Sequence, residues 1–386
     1  MTSSFQPRRV RDTDDTGPVG SSVPPWLEPV RGGHPDAATF GLSGIEQLRA
    51  SLAGYSPRPP LVHLFGNRFI EVGVGSAVFE MPLSEWLCGP HGAVSIGALA
   101  IPADAALGCP VQSGLPPATP LATSELSLRV LAPARLGTSV VARGRLLHAR
   151  RSLALSEVSL IDGNGRTLAH GSSLCFILPP LSPPPEPPSE LKPVEQTHYD
   201  TPDPWARPPE GTILSQDVWD RTSGLEVLLA RITDELPEPP IKRLTGLRPT
   251  AAAEGAATFA LPATEWLCAP PRGRVQGGVV ALLADAALGA AIGTTLPAGT
   301  AFAPVDLKVN YLRPLASDGR EATARGTVLH SGRRIAVASA EVRNADDKPV
   351  ALATGSAIIL PGRGAALASV EDPYRLTGGG AAGLDE

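Results

Sequence analysis

Two carboxylates stand where carboxylates are costly. Asp285 lies in the middle of Gln276-Gly277-Gly278-Val279-Val280-Ala281-Leu282-Leu283-Ala284-Asp285-Ala286-Ala287-Leu288-Gly289, which two glycines open and apolar residues then fill. Read as a helix, this run is apolar on every side of the wheel, and such a helix is buried. An ionisable group there costs several kcal/mol unless it is paired or hydrogen-bonded. Asp285 is therefore a satisfied structural group or a working one. A second copy decides between them. Ser95 to Gly108 repeats the pattern, with Asp104 in the place of Asp285. Each run follows a Glu-Trp-Leu-Cys box, Glu85 to Cys88 and Glu265 to Cys268. The offset is 180 residues at the tryptophans (266 minus 86) and 181 at the aspartates (285 minus 104). The chain is an internal duplication.

One such helix cannot act alone. Gly277 and Asp285 are separated by about 12 Å along a helix axis, too far for one carbonyl to touch both. Two helices lying antiparallel would set the N-terminus of each beside the carboxylate of the other. The free N–H groups and positive dipole end of one can then polarise a carbonyl oxygen. The aspartate of the other can orient or deprotonate a water, or attack directly.

The elements around these helices repeat as well. Ser43-Gly44-Ile45-Glu46 and Ser223-Gly224-Leu225-Glu226 open helical segments, followed by Pro59-Pro60 and Pro239-Pro240. Strand-like runs lead into the boxes, and more strands follow the central helices. The clearest is Val305-Asp306-Leu307-Lys308-Val309-Asn310-Tyr311-Leu312-Arg313-Pro314, which alternates with period 2 and matches Ser124 to Pro133. One long helix followed by hairpin-connected strands predicts an α+β fold with an antiparallel sheet. The expected organisation is a disordered tail over 1–42, repeats over 43–180 and 221–362, a linker over 181–220 and a second tail over 363–386. The stretch 179–211 carries 12 prolines and reads as a semi-rigid spacer.

Composition narrows the function. The formal charge of −5 and the lack of a basic stripe exclude a nucleic-acid partner. The longest apolar runs are broken by Asp104 and Asp285, so no membrane span is expected. The first 25 residues have no apolar core and do not read as a signal peptide. The four cysteines have no CxxC spacing, so a reduced, cytoplasmic protein without metal is expected. Nucleophile elbow, zinc-protease and phosphate-loop motifs are absent.

The helix-opening Gly-Gly, the Asp eight residues beyond, and the Val-Asp-Leu-Lys-Val-Asn-Tyr-Leu-Arg-Pro strand resemble hotdog-fold acyl-CoA thioesterases of the PaaI-like and 4-hydroxybenzoyl-CoA types. The resemblance covers about 57–179 and 237–361. It implies a double hotdog, in which two sheets each wrap a central helix and pair into one continuous sheet. It implies hydrolysis of an acyl-CoA without a cofactor, at sites between the repeats. Homo-oligomers of the double hotdog are open to it. Asp104 matches the family's catalytic carboxylate, Gly277 the glycine whose N–H binds the thioester oxygen, and Thr123 a hydroxyl that places the water. Gln276, Gly278 and Gly97 fall at the helix openings and are expected beside the substrate. Arg313 and the pair Arg333-Arg334 match positions that meet coenzyme A phosphates.

The mirror site would use Asp285, Ile96 and Pro304, replacing both the glycine and the hydroxyl. One competent and one degenerate site are therefore expected. Pro270 stands where the family places a carbonyl-contacting amide, and Pro102 should kink the first helix just before Asp104. His91 resembles the family's His-Gly pair, but its register excludes that role. Two other readings share the fold: a silent acyl-CoA-binding double hotdog, and a hydratase or dehydratase. The last needs a histidine with its acid, and neither central helix contains one.

Overall fold

The computed structural model describes residues 23–195 and 197–362. The tails expected over 1–22 and 363–386 lie outside the described residues.

Each repeat contributes six strands. The first has β1 Arg68–Gly73, β2 Ser76–Leu83, β3 Leu121–Val130, β4 Thr138–Ala149, β5 Leu153–Asp162 and β6 Thr167–Ile177. The second has β7 Arg248–Ala253, β8 Ala256–Pro262, β9 Thr300–Tyr311, β10 Glu321–Ser331, β11 Ile335–Arg343 and β12 Pro349–Pro361. All twelve form one sheet in the order β1-β2-β4-β5-β6-β3-β9-β12-β11-β10-β8-β7. The strands are antiparallel, and the halves join where β3 pairs with β9. Glu125 faces Asn310 and Arg129 faces Asp306, with Ser127 opposite Lys308 at the centre. A shift of 181 residues exchanges the members of these pairs, so a local two-fold passes through Ser127 and Lys308. The protein is a double hotdog.

Seven helices accompany the sheet among the described residues: α1 Gly44–Leu52, α2 Pro60–Phe65, α3 Ile96–Ser113, α4 Gln216–Arg221, α5 Gly224–Ile232, α6 Pro240–Thr245 and α7 Gly277–Gly293. Ser43 and Ser223 open α1 and α5 with capping boxes to Glu46 and Glu226. The long α3 and α7 are the expected central helices, packed against each other and cupped by the sheet. Two glycines permit this. A Cβ on Gly97 would stand 2.7 Å from the Cα of Leu282, and one on Gly278 2.7 Å from the Cα of Ile101. The sheet also comes in close, since a Cβ on Gly144 or Gly326 would strike the carbonyl of Ala106 or Ala287. Leu126, Leu128, Leu307 and Val309 on the joining strands feed one core shared by both repeats.

α3 runs as one 18-residue helix with Pro102, where the kink is expected, and Pro110 inside it. One expectation changes. Around residues 28–31 and 201–207 the segments read as tail and spacer are packed against the body instead. Arg31, 6% exposed, donates to the carbonyls of Thr201 and Pro202 and to Asp203. The Trp86 indole N–H bonds to the Arg207 carbonyl, and that of Trp266 bonds to the Glu28 carbonyl. Each repeat's box tryptophan is thus held by the arm that leads into the other repeat, and Arg207 pairs with Glu28 between the arms. Helix α4 also falls inside the segment read as linker.

Candidate active site

The antiparallel crossing of α3 and α7 sets each helix N-terminus against the other's aspartate. The Gly97 N–H donates to Asp285 Oδ2 at 2.9 Å, and the Gly278 N–H donates to Asp104 Oδ2 at 3.2 Å. Burial pushes both carboxyls up to about 6, which their hydrogen bonds partly oppose. A carboxyl poised there is half ionised just below neutral pH, as a general base needs to be.

At Asp104 the expected residues come together. Its carboxylate accepts from the Gly278 N–H, with the Gly277 N–H and the Thr123 hydroxyl near enough to lower its pKa. Asp104 keeps partial solvent exposure, as do Gly277 and Thr123. The Tyr311 hydroxyl donates to the Gly277 carbonyl at 2.8 Å. The Gln276 side chain is buried between the helices, with its amide nitrogen 3.0 Å from the Ile101 carbonyl. Gln276 therefore ties the helices together.

Asp285, 8% exposed, keeps different company. Its carboxylate accepts from the Gly97 N–H, and the hydroxyl of Ser95, which caps α3 by accepting from the Ala98 N–H at 3.1 Å, stands near enough to lower its pKa. The hydroxyl missing at Pro304 is thus supplied from the helix side, which the strand comparison overlooked. The N–H of Ile96, first residue of α3, has no partner among the described residues, as expected of a helix N-terminus.

A cavity of about 570 Å³ opens at this second aspartate. Ser95, Ile96 and Leu99 of α3 line it, and along α7 it is lined by Asp285, Ala286, Gly289, Ala290 and Gly293. Val130, Phe302 and Pro304 come from the joining strands. Asp104, Thr123, Gly277 and Gly278 are not among its lining residues. His91 does line it, stacked on Trp219 with ring centroids 4.3 Å apart. Burial, reinforced by Arg231, pulls the imidazole down to about 4, so the ring is neutral at pH 7. The exposed Arg135 stands on the rim.

Arg313, Arg333 and Arg334 are exposed and line no part of this cavity. The last two sit in the turn between β10 and β11, beside Ile358, Ile359 and Pro361. Ser95, Arg135, Trp219, Tyr311 and Arg231 were not singled out in the sequence. Only Ser95 left a local signal, a serine directly before the first helical residue.

The sequence profile of the thioesterase superfamily matches residues 91–169 and 272–351, once in each repeat. A protein of Halobacterium salinarum provisionally named an esterase is 35% identical over 112 residues, covering 27% of this chain and 72% of its own. The chain belongs to the thioesterase superfamily, and that membership places it among hydrolases of the thioester and ester class. Among solved structures, the tesB protein of Mycobacterium avium subspecies paratuberculosis is similar at 15% identity over 78% of this chain and 98% of that one, with a TM-score of 0.49. An acyl-CoA thioesterase II of Mycobacterium marinum is similar at 10% identity over 78% and 98%, with a TM-score of 0.45. No helix among the described residues is long and apolar enough to cross a membrane.

Proposed function

We propose that the protein hydrolyses an acyl-CoA thioester at Asp285, with the acyl group lying in the cavity along α7. One observation carries this reading: a carboxylate near its working pKa and the N-terminus of the opposed helix share one cavity. The Ile96 N–H and the dipole of α3 polarise the thioester oxygen. Asp285, held by Gly97 and Ser95, takes a proton from a water whose oxygen adds to the carbonyl carbon. The C–S bond breaks, the proton passes to the leaving thiolate, and a carboxylic acid and a free thiol result. Coenzyme A as the carrier rests on the resemblance of the sequence to acyl-CoA thioesterases, with Arg135 at the rim to meet a phosphate. Asp104, which lines no part of this cavity, is the structural counterpart.

The test is thiol release from a panel of short, long and aromatic acyl-CoAs. Asp285→Asn is expected to lose about 10²–10⁴-fold in rate, the usual weight of a general base. Asp104→Asn is expected to stay within a few-fold of the parent. Activity that survives Asp285→Asn and disappears in Asp104→Asn would place the chemistry at the other carboxylate.

A further inference from the structure

The cavity carries one charge that the hydrolytic reading leaves unused. Arg231, in the last turn of α5, lines it and has no hydrogen bond or ion pair among the described residues. Cations are favoured near a helix C-terminus, but an exposed arginine satisfies that preference without being buried. Partial burial in the cavity wall lowers the Arg231 guanidinium to about 10. An unpaired guanidinium in an apolar surround costs free energy, which an anion arriving with matching geometry offsets.

The rest of the lining offers no such anion. Its ionisable residues are Asp285, His91, Arg135 and Arg231, so the only acid is the one at the reacting end. Trp219 adds a donor in excess, since its buried indole N–H has no acceptor among the described residues. The two arginines also differ in depth, Arg135 being exposed on the rim while Arg231 is partly buried. Between Asp285 and Gly293 the α7 wall is built of Ala286, Gly289, Ala290 and Gly293, a lane of small residues about 12 Å long. Helix α5 begins at the far end of that lane, where Gly224 packs on the Gly293 carbonyl.

We propose that the acyl group taken by this cavity ends in a carboxylate that pairs with Arg231, so that the substrates are mono-thioesters of dicarboxylic acids. This rests on the reading of the cavity as the acyl pocket of a thioesterase. Such a ligand brings acceptors to a lining that has donors and lacks acids.

The experiment compares adipyl-CoA and suberyl-CoA with hexanoyl-CoA and octanoyl-CoA, for the parent, Arg231→Met and Arg231→Lys. The parent should favour the carboxyl-terminated ester of each pair by about tenfold or more in kcat/KM, the weight of one charge-assisted hydrogen bond. Arg231→Met should erase that preference by lowering the carboxyl-terminated esters toward the methyl-terminated ones, and Arg231→Lys should restore part of it. The same preference with N-acetylcysteamine thioesters, which lack the nucleotide, would fix the contact at the acyl end. An equal loss across all four CoA esters, absent with the cysteamine thioesters, would instead assign Arg231 to a coenzyme A phosphate and overturn the proposal. Calorimetry on Asp285→Asn with the suberyl and octanoyl N-acetylcysteamine thioesters separates this proposal from the hydrolase reading. Binding of the suberyl thioester that needs Arg231 upholds the pocket even if no thioester is turned over, whereas equal binding of the two thioesters overturns it.

Discussion

The two helix crossings are built alike and surrounded differently. Each aspartate receives an N–H from the opposed helix and has a hydroxyl nearby, and each is pushed to about the same pKa. The neighbours set them apart. Under the local two-fold Val130 is replaced by Tyr311, Gly293 by Gln112 and Ala290 by Cys109, and in each case the larger residue stands on the Asp104 side. Gln112 further bonds to Gln47, and Tyr311 to Gly277, on that side. The backbone donors match: each aspartate accepts one N–H from the second residue of the opposed helix, Gly278 for Asp104 and Gly97 for Asp285. Duplication preserved the electrostatic frame in both copies, and the cavity of about 570 Å³ lies at Asp285.

The widest separation of the two halves should come from pairing stability with turnover. A buried aspartate whose pKa is about 6 in the folded chain and 3.8 as a model value binds its proton more tightly when folded. Its contribution to stability is therefore complete below pH 3.8 and is lost as pH rises through about 6. Asp104→Asn and Asp285→Asn should each raise unfolding free energy at pH 8 by up to about 3 kcal/mol, with the gain vanishing at pH 4. Denaturant melts at the two pH values read this directly. Only Asp285→Asn should also lose turnover, so equal stability gains with unequal rates would be the signature of one working copy.

Exchanging the filling residue should close the open half. Val130→Tyr brings the second repeat's tyrosine into the cavity and is expected to cut kcat/KM by about a hundredfold or more, since a blocked pocket forfeits the positioning of substrate. Melting temperature and the near-ultraviolet spectrum check that the chain still folds. Full activity in Val130→Tyr would show that the substrate does not use this space.

How much of this the sequence disclosed depends on how local each feature is. The duplication, the buried helices and their antiparallel meeting follow from helical period, paired glycines and the cost of burying Asp104 and Asp285. The ranking of the two halves depends on volume. That volume is set by Val130, Gly293, Trp219 and Phe302, which lie on four separate elements and share no motif. The strand comparison saw that Pro304 has no hydroxyl, whereas Ser95 supplies one from another element. The crossed arms had a signal that went unread, the paired Pro25-Trp26 and Pro204-Trp205 that lead into the two repeats.

The finest distinction concerns the hydroxyls. The Ser95 hydroxyl stands near the Asp285 carboxylate and helps hold its pKa down to about 6. Its removal should move the acid limb of the kcat/KM profile upward by about one pH unit, the weight of a hydrogen bond to a charged group. Because Ser95 also caps α3, Ser95→Ala carries a cost of about 1 kcal/mol in stability, while Ser95→Gly, which caps nearly as well, costs only a few tenths. Both variants should show the same displaced limb despite that difference, which separates the charge effect from loss of the helix end. Thr123→Val makes the corresponding change at Asp104 and should leave the limb in place. If Thr123→Val moved the limb and Ser95→Gly did not, the titrating base would be Asp104, and the open cavity would be serving another purpose.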